Sequence, residues 1–345
     1  VSNIQDQVLA HFYAQECSYF EKAHFDINSP ANIAKYRAYR DVLVEFGLAN
    51  RAITDVGCGR GGFLLWLLSN GWQAECYGID VDVKSIPSAE VVSEAVDGGH
   101  SVQFYEGGVF LLPCAGASRQ VLTYFHVFEH IRDIDAVLKE AYRVLQLGST
   151  LLIEVPDAEN YSKLPVGSAF WIGIREHIYH FSAQALISAL KRHGFSITTV
   201  RRAILPTPEF DYPSLMILAE KGSASNSLSV PLESNISGFV ISSQQALLLQ
   251  AQQILSVAEK YTALTFWGCS SELFSLLPLL KGVEFCLCDA SKLKQQSLYQ
   301  GQEIYDPCQI KPEGLLVIAP YLYGDVIEKD AINLGWKERS IVRLQ

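Results

Sequence analysis

The alternation of apolar and polar residues changes rhythm near residue 52 and again near residue 222. From Ala52 onward, short apolar runs of strand length alternate with segments of helical period. Ala52–Val56 reads as a strand and Gly61–Asn70 as the helix after it. Glu75–Ile79, Val102–Tyr105 and Val121–Phe125 read as further strands. Ile134–Leu145 is amphipathic, with Ile134, Val137, Leu138, Ala141, Val144 and Leu145 on one face. Leu151–Val155 is the next strand, and Ala185–His193 a helix closed by Gly194, which suits a left-handed cap. Ile197–Val200 and Leu215–Glu220 read as closing strands. This succession predicts an α/β fold, a Rossmann-like and mainly parallel sheet with helices on both faces.

Residues 1–50 differ, being helical in pattern with interleaved aromatics such as Phe12, Tyr13, Tyr36 and Tyr39. Asn28-Ser29-Pro30 is a helix start signal within them. Lys221–Gly238 is rich in Ser and Asn and reads as a linker. After it come an amphipathic helix over Gln244–Lys260 and a renewed strand–helix alternation at Leu264–Trp267, Glu272–Leu280, Glu284–Cys288 and Leu315–Ala319. The expected organisation is a helical cover over 1–50, a main domain over 51–221, a linker over 222–237 and a smaller α/β domain over 238–345. The two α/β parts echo each other. Gly57-Cys58 follows the first strand of one and Gly268-Cys269 that of the other, and the next strands end in Asp80 and Asp289. The second copy has one glycine and Glu272 at its helix start, so no nucleotide site of the usual kind is expected there.

Composition narrows the function. Hydrophobic residues are 49% and charged residues 19% of the 345, which is globular composition. A net charge of −10 gives no counterion-release gain, so nucleic-acid binding is not expected. No apolar run approaches the roughly 18 residues of a membrane span, and residues 1–20 lack the apolar core of a secretory signal. None of the eight cysteines forms a Cys-x-x-Cys pair, so no metal is expected and a reducing cytoplasm is the simplest setting.

Chemistry concentrates at Asp55-Val-Gly57-Cys-Gly59-Arg-Gly61-Gly62, directly after a strand and opening a helix. Such glycines let the backbone turn sharply and come close to a ligand. Asp55, two residues before Gly57, suits an amine-bearing ligand and not a pyrophosphate. Asp80, at the end of the next strand, can accept both hydroxyls of a ribose. An amino-acid nucleoside fits this pair of acids better than a dinucleotide.

With Gly78-Ile-Asp-Val81, Phe125-His-Val-Phe-Glu-His-Ile-Arg-Asp133 and Val144–Pro156 in the same order, the stretch 50–220 resembles the class I S-adenosylmethionine-dependent methyltransferases. The resemblance implies S-adenosyl-L-methionine as cofactor and S-adenosyl-L-homocysteine as product. It implies that Gly57, Cys58, Gly59 and Gly61 line the methionine part, Asp80 holds the ribose and Val81 touches the adenine. It places His126 and Phe128 near the sulfonium and the substrate.

Arg175-Glu176-His177-Ile178-Tyr179-His180-Phe181-Ser182 is dense in acid/base groups, and Ser182 suits a helix N-cap. Methyl transfer to oxygen or carbon requires removal of a proton, and His177 is the favoured base, with Glu176 and His180 beside it. The loop, with the second α/β part, also resembles the sugar C-methyltransferases. Glu176-His177 matches the end of their Tyr-His-Glu-His loop, Ile174-Arg175 replaces its start, and their zinc-binding Cys-rich module has no counterpart here. The expected activity is methylation of a small-molecule acceptor. A nucleotide-sugar C-methyltransferase, a non-catalytic cofactor-binding or assembly module and a nicotinamide oxidoreductase remain alternatives.

Overall fold

The computed structural model describes residues 28–82, 101–164, 166–174, 176–206, 211–222 and 236–344. The helical reading of residues 1–27, Arg175 and most of the linker expected over 222–237 lie outside these. The described residues pack as two units. Those within Val1–Asn160 and Glu176–Ser234 form the first, and those within Tyr161–Arg175 and Asn235–Gln345 the second.

In the first unit, α1 (Pro30–Glu45) starts where the sequence signals it, with Ser29 Oγ accepting the Asn32 amide at 3.2 Å. There follow β1 (Ile53–Val56), α2 (Gly62–Ser69), β2 (Cys76–Asp80), β3 (Val102–Glu106) and β4 (Arg119–Phe125). Next come α3 (Ile134–Val144) and β5 (Leu145–Pro156). The described strands, with β6 (Phe195–Pro206) and β7 (Asp211–Lys221), make a seven-stranded sheet in the order β3-β2-β1-β4-β5-β7-β6. Only β7 runs antiparallel to its neighbours. β1 is central, covered on both faces and buried at every position, so that Thr54 and Asp55 lie inside the sheet with Ile53 and Val56. The core gathers Val56, Ile79, Leu122, Tyr124 and Ile153 from the sheet with Val137, Leu138, Leu186 and Leu190 from the helices.

The sequence reads these elements in the right order but trims the last strands. β6 and β7 are longer than Ile197–Val200 and Leu215–Glu220 because they pair with each other far beyond their apolar centres, from Phe195↔Lys221 to Pro206↔Asp211. Before β6 runs the helix α5 (Ala183–Arg192), capped by Ser182, whose Oγ accepts the Ala185 amide at 3.2 Å.

The second unit begins with α4 (Ser168–Ile172), which precedes α5 in the chain. Its Trp171 stacks on Tyr161 with ring centroids 4.3 Å apart. Both belong to the second unit although the pattern of the chain includes them in 51–221. The helix α6 (Ile236–Ala258) starts inside the stretch expected to be linker. The Ser and Gly there suggest a loop, but Phe239 packs 6.1 Å from the Tyr161 ring, and Ser243 Oγ accepts the Ser168 amide at 3.2 Å. Tertiary packing thus extends a helix that local composition disfavours.

Next are β8 (Leu264–Trp267), α7 (Ser271–Leu276), β9 (Cys286–Cys288), α8 (Lys292–Gln295), β10 (Leu298–Tyr299) and β11 (Gln302–Tyr305). The chain closes with β12 (Leu315–Ile318), α9 (Gly324–Asn333) and β13 (Ile341–Arg343). The sheet order is β10-β11-β9-β8-β12-β13. Apart from the β10–β11 hairpin every pairing is parallel. Among the described residues no helix is long and apolar enough to cross a membrane.

Two features of the first sheet carry expectations for stability. Gly78 on β2 leaves no room for a methyl group, since a Cβ would meet the Phe104 ring and lie 2.8 Å from Cys58 Sγ. Gly78→Ala should therefore destabilise the protein by about 1–3 kcal/mol, measured by denaturant unfolding. Asp55 is 4% exposed inside the sheet. Burial raises its carboxyl from 3.8 to about 7, against the hydrogen bond it accepts from Thr123. Between those values the folded chain holds a proton that the unfolded chain has released, so stability falls as pH rises through this window. Asp55→Asn removes that slope. Its melting temperature should exceed that of the parent increasingly from about pH 4 to pH 7, a gain on the order of a few kcal/mol at the upper end. A pH-independent difference would show that Asp55 is not the source.

Candidate active site

The carboxyl ends of β1 and β2 build the first part of the site. Gly57, Gly59 and Gly61 all have positive φ, of 76°, 50° and 66°, which side chains rarely adopt. Gly57 also has close cover, because a Cβ there would come within 2.5 Å of Val127 Cγ2. The Gly59 amide donates to Asp80 Oδ2 and the Asp82 amide to Asp80 Oδ1, each at 2.8 Å. Each oxygen keeps lone-pair capacity for a further donor, such as a ribose hydroxyl. Burial raises the Asp80 carboxyl above its ordinary range, with the backbone donors opposing it. Val81, just beyond the strand, is 56% exposed and free to cover a flat ring. Cys58 lies half-buried in the same loop, its thiol pushed well up by burial.

Two residues chosen from the sequence sit elsewhere. Phe128 is fully buried in the core, edge-on to Tyr124 with ring centroids 5.1 Å apart, so its ring belongs to the packing beneath the site. Asp55 turns into the sheet towards Thr123 Oγ1, 2.7 Å away. The amine contact expected of Asp55 is not prepared by that orientation.

The ends of β4, β5 and β7 supply a second, polar part. His126 follows β4 with φ of 55°, a strained backbone for a residue with a side chain. Its Nδ1 lies 3.1 Å from Glu129 Oε1 and its Nε2 2.7 Å from the Tyr212 hydroxyl. Glu154, fully buried on β5, accepts from Tyr212 at 2.9 Å, Ser214 at 2.7 Å and Tyr39 at 3.5 Å. Burial pulls the His126 pKa down. The charge of Glu154 and the bond to Glu129 outweigh it, and the imidazole is held above its ordinary value.

The loop holding Glu176, His177 and His180 is tied to the turn after β4. The Glu129 carbonyl accepts from the Ile178 and Tyr179 amides at 2.7 and 3.2 Å. His130 Nδ1 lies 3.1 Å from the Glu176 carbonyl. These bonds join two motifs that are about fifty residues apart in the chain. His177 faces His130 with ring centroids 4.9 Å apart, and His180 lies 6.4 Å from His177. Burial takes His177 down to about 3, so its ring is neutral at neutral pH and a weak proton acceptor. Burial lowers His180 too. Burial pushes the Glu129 carboxyl up, but the bond to His126 and the neighbouring histidines bring it to about 2.

Tyr39, Glu129, His130, Glu154, Tyr212 and Ser214 join the site without having been marked out by any sequence motif as candidate residues. One signal was available for Glu154, an acid inside the apolar run Leu151-Leu-Ile-Glu-Val155. Tyr39, Tyr212 and Ser214 carry no local mark, since only the packing of α1 and β7 brings them to Glu154.

Residues 31–200 match the family model described as a methyltransferase domain. Ajmaline N-methyltransferase of Rauvolfia serpentina is 25% identical over 166 residues, covering 43% of this chain and 57% of that protein. The alignment thus spans little more than half of that relative. Among solved structures, a SAM-dependent methyltransferase from Methanosarcina mazei is similar at 19% identity with a TM-score of 0.44, covering 52% of this chain and 96% of that one. A methyltransferase from Mesorhizobium loti is similar at 18% identity with a TM-score of 0.43, covering 55% and 98%. The matched family model, read with the glycine turn and the acid at the end of β2, identifies most of the first unit: over residues 31–200 the chain carries a class I S-adenosylmethionine-dependent methyltransferase domain.

Proposed function

We propose that this chain methylates an oxygen or carbon nucleophile of a small-molecule acceptor, with S-adenosyl-L-methionine as the methyl donor. The observation that carries the reading is the cradle at the ends of β1 and β2. There, positive-φ glycines and a doubly anchored Asp80 leave polar capacity directed at a ligand. Gly57, Cys58, Gly59 and Gly61 would hold the amino-acid part, Asp80 the ribose and Val81 the adenine. The bound sulfonium supplies an already activated methyl group. The chain's own task is then to hold the acceptor in line with it and keep competing water away.

The acceptor side of this reading is the polar network after β4. Tyr212 donates to buried Glu154 and touches His126, so these side chains are fixed before any ligand arrives. We place Glu176, His177 and His180 on the same side, since hydrogen bonds draw their loop to Glu129 and His130. A small acceptor is supported by the relative whose printed name is ajmaline N-methyltransferase. It also suits a chain whose net charge is −10. A cytoplasmic setting is part of the proposal, supported by the absence of disulfides among the described cysteines.

Titration of S-adenosyl-L-homocysteine into the protein should give saturable binding. Asp80→Ala should weaken it by about 1–3 kcal/mol, roughly 5- to 160-fold, through the lost ribose hydrogen bonds. No binding by the parent protein would overturn the proposal. Once an acceptor has been identified by screening, Tyr212→Phe should leave the affinity for S-adenosyl-L-homocysteine within about twofold. It should lower kcat by roughly tenfold or more through the disturbed His126–Glu154 network. An unchanged kcat would remove that network from the acceptor side.

A further inference from the structure

Glu129, His130 and His177 converge although they come from two separated stretches of chain. One ligand atom from each lies within 4.8 Å of both others. Around a zinc ion with bonds of about 2.1 Å, donor atoms stand about 3.4 Å apart, so the set needs to contract by little more than an ångström.

The remaining polar atoms are arranged as a ligand set requires. Glu129 is 0% exposed, its Oε1 is engaged by His126 at 3.1 Å, and its Oε2 is buried with no hydrogen-bond partner. A buried carboxylate oxygen left in this state is costly unless something cationic meets it. His177 Nδ1 is likewise buried and unbonded. The Glu176 carbonyl can only accept, so the short contact from His130 Nδ1 requires the proton on Nδ1. That tautomer leaves the lone pair on Nε2, which lies 3.8 Å from Glu129 Oε1. A hydrogen bond from one ring nitrogen to a carbonyl is the usual device for presenting the other nitrogen to a metal. The bond from His126 steadies the carboxylate in the same manner.

We propose that Glu129, His130 and His177 form a binding site for one divalent transition-metal ion of the zinc type. Two imidazoles and one carboxylate are borderline donors that suit zinc and its first-row neighbours, whereas magnesium and calcium call for sets of oxygens. Three protein ligands leave a position for water or for an oxygen of the acceptor. This assigns His177 to ligation and relieves a weak base of proton removal. The absence of Cys-x-x-Cys pairs does not bear on this set, which uses no cysteine. The site adjoins the proposed acceptor side but does not depend on the cofactor reading, because metal binding and S-adenosyl-L-homocysteine binding are measured separately.

The test is calorimetric titration of zinc into chelator-treated protein, with cobalt substitution read by its visible absorption. The parent should bind one tight zinc per chain and give a cobalt spectrum of low coordination number. His177→Ala and Glu129→Gln should each weaken zinc by at least about tenfold and abolish that spectrum. Retained far-ultraviolet dichroism identifies the variants that are folded, and either one, folded, decides the matter. No tight zinc in the parent, or affinity and spectrum unchanged in a folded variant, would overturn the site. Binding of zinc without binding of S-adenosyl-L-homocysteine would sink the methyltransferase reading and leave the metal site standing.

Discussion

Parallel pairing of β1 with β2 on one side and β4 on the other is the constraint on which the first unit depends. The register sets Val56 beside both Ile79 and Tyr124, and Phe125 beside Glu154 on β5. All these strands therefore end at one edge of the sheet. Gly57, Asp80, His126 and Glu154 reach that edge together because of this register. A slip of one residue would turn Glu154 to the opposite face and carry Asp80 away from the Gly59 amide. The apolar strands that fill the interior also aim the polar groups.

Polar groups at that edge are buried, and the structure manages their cost by sharing. Glu154 receives hydroxyl donors from β7 and α1, while Glu129 and Tyr212 hold His126 between them. Bonding each member to its neighbour gives the network stiffness, since a side chain that turns away gives up a hydrogen bond in a medium of low dielectric. The positive φ of His126 is held in place because the bonds to Glu129 and Tyr212 over-determine that residue.

The second unit repeats the frame of the first. Its strands β11-β9-β8-β12-β13 follow the same order as β3-β2-β1-β4-β5. The Gly268 amide bonds the Cys288 carbonyl at 2.9 Å, as the Gly57 amide bonds that of Ile79 at 2.7 Å. Asp289 stands where Asp80 stands and accepts the Cys269 amide at 2.8 Å. In this copy the acid also accepts from Lys294 Nζ at 2.8 Å.

The strand–helix order, the glycine turn and the acid after β2 were legible in the sequence because each is written in consecutive residues. Periodicity over a few positions decides a strand or a helix, and a turn needs its glycines where they stand. The motifs after β4 and before α5 were legible as stretches, but their partnership was not. Nothing in Phe125–Asp133 says that Glu129 will accept two amides from the loop holding His177. The same holds for Tyr39 and Tyr212, which read as ordinary aromatics until α1 and β7 meet over Glu154. Phe128 shows the converse, since a motif position can pass for a ligand contact until packing buries its ring. The pattern of the chain puts Tyr161 and Trp171 in the main domain, and composition puts the start of α6 in the linker, whereas aromatic packing gathers these residues in the second unit. The sequence thus determined what is local. Burial, tautomer and the convergence of distant side chains came from tertiary structure, because each depends on neighbours that only folding supplies.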